Sequence, residues 1–68
     1  MTKTEVSKEM SRFLGGAGFI SKSEIAQFLG YKDYHVASQY VADLKRVNGK
    51  YFIGDVAANI VSAGVYGD

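Results

Sequence analysis

Seven side chains between positions 32 and 50 are equipped for chemistry: Lys32, Tyr34, His35, Ser38, Gln39, Arg46 and Lys50. If the chain is helical from Tyr34 to about Arg46, then His35, Ser38, Gln39, Ala42 and Arg46 share one face, at the three- and four-residue steps of a helix. Serine and glutamine hydrogen-bond to base edges, and glutamine pairs with adenine in a bidentate way. Lys32, Arg46 and Lys50 suit phosphates, as do the hydroxyls of Tyr31 and Tyr34 beside the turn. Lys45, Arg46 and Lys50 also gather around Asn48-Gly49, where contacts to a nucleic-acid backbone would fit. The plain alternative is that these residues are the solvent face of a surface helix.

Other chemistry finds little support. His35 as a general base needs a nucleophile and an orienting acid beside it, and the sequence offers no evident candidate. A single histidine makes no histidine-rich metal site, and the absence of cysteine removes disulfides, cysteine-based zinc sites and redox pairs. The glycine-rich stretch Gly15-Gly16-Ala17-Gly18 follows a helix, whereas a phosphate-binding loop follows a strand and ends in Gly-Lys-Ser/Thr. The expectation is a protein that is not an enzyme and needs no cofactor, metal or small-molecule ligand.

The elements that must position these residues are signalled with different clarity. The first helix, expected over 4–14, carries Val6, Met10, Phe13 and Leu14 as its apolar stripe, with Thr2 and Glu5 as a capping box. The glycine run ends it. The second has the strongest start: Ser21 as N-cap, Glu24 three residues on, and Ile20 and Ile25 as a hydrophobic staple. Ile25, Phe28 and Leu29 form its stripe, and Gly30 supplies a left-handed exit. Asp33 then caps the third helix, whose inward face is Ala37, Tyr40, Val41 and Leu44. Asn48-Gly49 reads as either a helix cap or a two-residue hairpin turn. Lys50 to Ile53 reads as a strand. Asp55 is expected to open a last helix over 55–63, with Val56, Ala57, Ile60 and Val61 inward and Gly64 as its stop, followed by a loose tail from Val65 to Asp68.

Two helices joined this tightly form a helix-turn-helix corner, a common way of presenting a second helix to DNA. The usual spacing would bury Gln39, which is unfavourable. One extra turn residue moves the inward positions to Ala37 and Tyr40, which suit a core. The fold expected is mostly α: a helix-turn-helix over 21–46 with a minimal β wing over 47–53, three to four helices in one domain spanning 1–68.

The stretches Ser-Lys-Ser-Glu-Ile-Ala-Gln-Phe-Leu-Gly (21–30) and Tyr-Phe-Ile-Gly-Asp-Val-Ala-Ala-Asn-Ile (51–60) resemble the winged helix-turn-helix domains of the MerR and phage-excisionase type. The resemblance covers residues from about Ile20 to Ile60. It implies sequence-specific binding of double-stranded DNA, with the helix after the turn in the major groove and the wing on the backbone. It further implies a small transcriptional regulator, or a recombination accessory factor from a phage or mobile element that steers an integrase or recombinase. The low charge separately points to a homo-oligomer or a protein partner on the DNA. The rival reading is a protein–protein adaptor using Tyr51, Tyr66 and Phe19, or the first helix.

Composition limits both readings. At 68 residues, 47% hydrophobic and 22% charged, the chain suits one small globular domain. No apolar run reaches the roughly 20 residues of a membrane span, and nothing resembles a signal peptide, so a cytoplasmic location is expected. The net charge is only +1. From Ser21 to Lys50, however, five Lys or Arg face three Asp or Glu, a local net of +2.

Overall fold

The computed structural model describes residues 2–64; Tyr66 and the tail from Val65 to Asp68 lie outside that range. Helix α1 runs from Lys3 to Phe13, strand β1 covers Phe19–Ile20, and α2 covers Lys22–Leu29. A 3-10 helix, Tyr34–Ala37, leads directly into the short α3, Ser38–Val41. Strand β2, Tyr51–Phe52, passes without a loop into α4, Ile53–Ser62. The described chain is therefore mostly helical, with four α-helices and a two-stranded antiparallel sheet, compatible with a helix-turn-helix carrying a minimal wing.

Both expected capping boxes form. Thr2 and Ser21 each accept the amide three residues on, while Glu5 and Glu24 return a carboxylate oxygen to the cap amide at 2.9 Å. Gly30 ends α2 with φ 86°, and the Gly30 and Tyr31 amides donate back to Gln27 and Ala26. This closes the orphan carbonyls at the helix end and turns the chain sharply, as a side chain with a Cβ does only at a cost. Asn48-Gly49 is a hairpin turn. Both residues have positive φ, and Val47 and Lys50 exchange two backbone bonds of 2.8 and 3.0 Å.

The core joins the elements in a pattern close to the expected one. Val6 and Met10 of α1 lie with Ile20, Ile25, Ala37, Tyr40, Val41, Tyr51, Ile53, Val56, Ala57 and Ile60, all buried. Leu14, Phe28, Leu29, Leu44 and Val61 pack against its edge. Phe13 departs from the expectation. It stays half exposed and meets Phe28 edge to face, with ring centroids 5.7 Å apart. Helix α1 packs chiefly on α4, and α2 on the 3-10 helix.

Three elements differ from the sequence reading. The third helix stops at Val41 rather than Arg46. Its first turn is wound tightly under the Asp33 cap, and Leu44 donates to Val41 in a three-residue turn. Asp43 is drawn toward α4, where the Asn59 amide donates to it at 3.0 Å. The second difference is the start of α4, at Ile53 instead of after Asp55. The Ile53 amide donates to Gly18 across the sheet, so the helix opens without a capping side chain. Asp55 sits inside the first turn, where its charge favours the helix dipole. Third, Phe19–Ile20 is a strand, pairing Phe19 with Phe52 and Ile20 with Tyr51.

Candidate nucleic-acid interface

Asp33 organises the head of the second helical segment. One of its carboxylate oxygens accepts the His35 amide at 2.9 Å and lies 2.8 Å from His35 Nδ1. The amide bond first, and the ring second, hold the Asp33 carboxyl below its usual range. An ionised carboxylate only accepts, so Nδ1 carries the hydrogen and Nε2 is left as an acceptor in the neutral ring. The Tyr34 ring stacks on His35 at 4.4 Å and 26°. Both side chains are exposed.

This pair also revises the reading of His35 as a base. Asp33 stands in the place of the orienting acid. No hydroxyl or thiol is hydrogen-bonded to His35 among the described residues, so two parts of a triad are present without the third. Among the described residues no cluster of three His, Cys, Asp or Glu is arranged to hold a metal.

The remaining site residues divide among three surfaces. Tyr34 and Arg46 line one open groove, of about 280 Å³, with Ser21, Lys22, Ser23, Gly49 and Tyr51. It is walled by the first turn of α2, the head of the 3-10 helix and the wing. Its lining holds two cations and no carboxylate. Gln39 lies elsewhere, in a groove with Asp43 and Asn59 between α3 and α4. Lys50 lines a third groove with Phe19, Val47 and Asn48. Its Nζ is 4.0 Å from Glu24. Lys32 is exposed in the turn, and Ser38 is half buried where α3 begins.

The sequence alone does not single out Lys22 and Ser23 as site residues, because their stretch reads as a helix cap. The signal is the pair of polar residues directly after the N-cap, of which Ser23 is exposed and Lys22 half buried.

The three carboxylates of this region are all engaged locally. Glu24 takes the Ser21 amide, which is the main reason its carboxyl sits below the usual range; Asp33 caps; Asp43 accepts from Asn59. Lys22, Lys32, Lys45 and Arg46 have no ion-pair partner among the described residues, whereas Arg12 on α1 meets Glu9 at 2.7 Å. None of the described helices is long and apolar enough to cross a membrane. Comparison with protein-family models, curated proteins and solved structures found no match.

Proposed function

We propose that the protein binds double-stranded DNA through the groove between α2, the 3-10 helix and the wing. The observation that carries this reading is the groove's lining: Lys22 and Arg46 with Tyr34, Ser21 and Ser23, and no acid. Phosphates bind where cations, hydroxyls and backbone amides converge. Lys32 and Lys45, without an ion-pair partner among the described residues, stand close in sequence to Tyr34 and Arg46 of that lining. With only two turns between Tyr34 and Val41, base contacts fall to His35 and Ser38, with Tyr34 and Arg46 gripping the backbone on either side. Gln39, beside Asp43, contributes less than its residue type suggests.

The resemblance to winged helix-turn-helix domains of the MerR and phage-excisionase type supports the same function. The role we infer is a small transcriptional regulator or an excisionase-like recombination factor. Four phosphate contacts would give a log–log salt slope of roughly −3.6. That is modest for one copy, so useful affinity needs several copies on adjacent sites or an integrase-like partner on the same DNA.

Fluorescence anisotropy on pooled duplexes, with selection for preferred sequences, tests this. A preferred site should emerge, with affinity falling along the stated slope as salt rises. Absence of any duplex bound more tightly than about 100 µM at low salt, ordinary non-specific affinity, overturns it.

A further inference from the structure

The wing sheet carries a second surface with the opposite chemistry. Phe19, Phe52 and Val47 are each about half exposed, and Phe19 meets Phe52 edge to face at 5.8 Å. Phe52 is also held from beneath. A Cβ built on Gly54 would lie 2.6 Å from the Phe52 ring, so the ring rests on the bare backbone of the first turn of α4. Glycine is a poor choice inside a helix. Here it makes room for a half-exposed aromatic ring lying against the helix.

Lysines stand at both ends of this strip. Lys50 borders Phe19 and Val47, while Lys3 and Lys8 border Phe52, with Asp55 the one carboxylate of that groove. We propose that this face docks an acidic segment of a partner protein, an apolar side chain seated against Phe19 and Phe52 and carboxylates meeting Lys3, Lys8 and Lys50. Charge complementarity selects this occupant. A second copy docked face to face would set lysine rim against lysine rim. A duplex backbone would use the lysines and leave the phenylalanine rings without a partner. Pre-positioned aromatics lower the ordering cost of binding and form the usual anchors of small interfaces. The proposal stands independently of the DNA reading.

A random 12-residue peptide library displayed on phage and selected on the intact protein tests it. Enrichment of sequences carrying Asp or Glu beside Leu, Phe or Trp is expected, and the enriched peptide, made synthetically, should shift the amide resonances of Phe19, Val47, Phe52 and Gly54. Phe52→Ala should weaken that peptide about tenfold or more. Gly54→Ala should weaken it about threefold, with helicity unchanged or raised, because it displaces the ring while favouring the helix. Lys8→Glu should weaken it as well, and by less at high salt. No enrichment, enrichment of basic or uncharged sequences, or shifts confined to the Tyr34–Arg46 groove would overturn the proposal. So would shifts of Phe52 caused by a duplex or by raised protein concentration without peptide, which assign the strip to DNA or to a second copy.

Discussion

At the scale of the residue, Gly30 and the Ser21–Glu24 capping box bound α2, whose first turn walls the groove. Gly30→Ala forces a Cβ into φ 86° with open space around it, so the cost is backbone strain alone. A loss of about 1 kcal/mol or more is expected, and an unchanged urea midpoint would contradict the left-handed exit. Ser21→Ala should cost about 0.5–2 kcal/mol. Combined with Glu24→Ala it should be non-additive, since each side chain serves the other's backbone. Acid exposes the same contacts. Glu5, Glu24 and Asp33 all have carboxyls held below their ordinary range, chiefly by backbone amides. Their folded values lie below their unfolded ones, so their stabilisation is complete above about pH 5 and lost as pH falls through the folded values. Urea melts from pH 7 to pH 3 should show this decline, and Glu24→Gln should flatten part of it.

At the scale of the element, the parts with local grammar were legible. Ser21, Glu24, Gly30 and Asp33 mark their boundaries in residue types whose geometry is set within three or four positions. The inward set Ala37, Tyr40, Val41 and Leu44 survives even though the helix carrying it is short. What escaped depends on residues distant in sequence. Phe19–Ile20 becomes a strand only because Tyr51–Phe52 returns beside it, and α4 starts at Ile53 because Gly18 accepts its amide. The end of α3 follows from Asn59, nineteen residues away, whose side-chain amide donates to Tyr40 at 2.8 Å as well as to Asp43. Nothing near Asp43 announces that partner. The site was legible to the same degree: residue types pointed to phosphate and base contacts, but a continuous helical stripe put Gln39 and Arg46 on one face, and the structure separates them. The adaptor reading misplaced Tyr51, which is only 5% exposed. Asn59→Ala should cost about 0.5–1.5 kcal/mol for its hydrogen bonds. Amide exchange should quicken from Tyr40 to Leu44 more than in α2; uniform quickening would deny Asn59 this local role.

At the scale of the whole molecule, charge is divided by local engagement more than by number. Net charge is +1, yet Glu24 and Asp33 are occupied in caps and Asp43 by Asn59, while Lys22, Lys32, Lys45 and Arg46 have no ion-pair partner among the described residues. Arg46→Ala and Lys22→Ala should therefore weaken binding to every duplex alike and reduce the salt slope by about 1 each. His35→Ala should cost about 1–3 kcal/mol on the selected site and little on random DNA, and Gln39→Ala should do neither. Equal effects of all four would remove the division between backbone and base contacts. The packing of α1 on α4 has a different consequence, which concerns the order in which the chain is made. Val6 and Met10 are covered only once Val56, Ala57 and Ile60 exist, about fifty positions downstream. At roughly 5–20 residues per second of synthesis, the first helix waits about 3–10 s for its partner. During that interval it is an amphipathic segment with a bare apolar face, open to a chaperone or to a neighbouring nascent chain. A ribosome stalled before α4 should hold a protease-sensitive α1, and release of the last helix should close it.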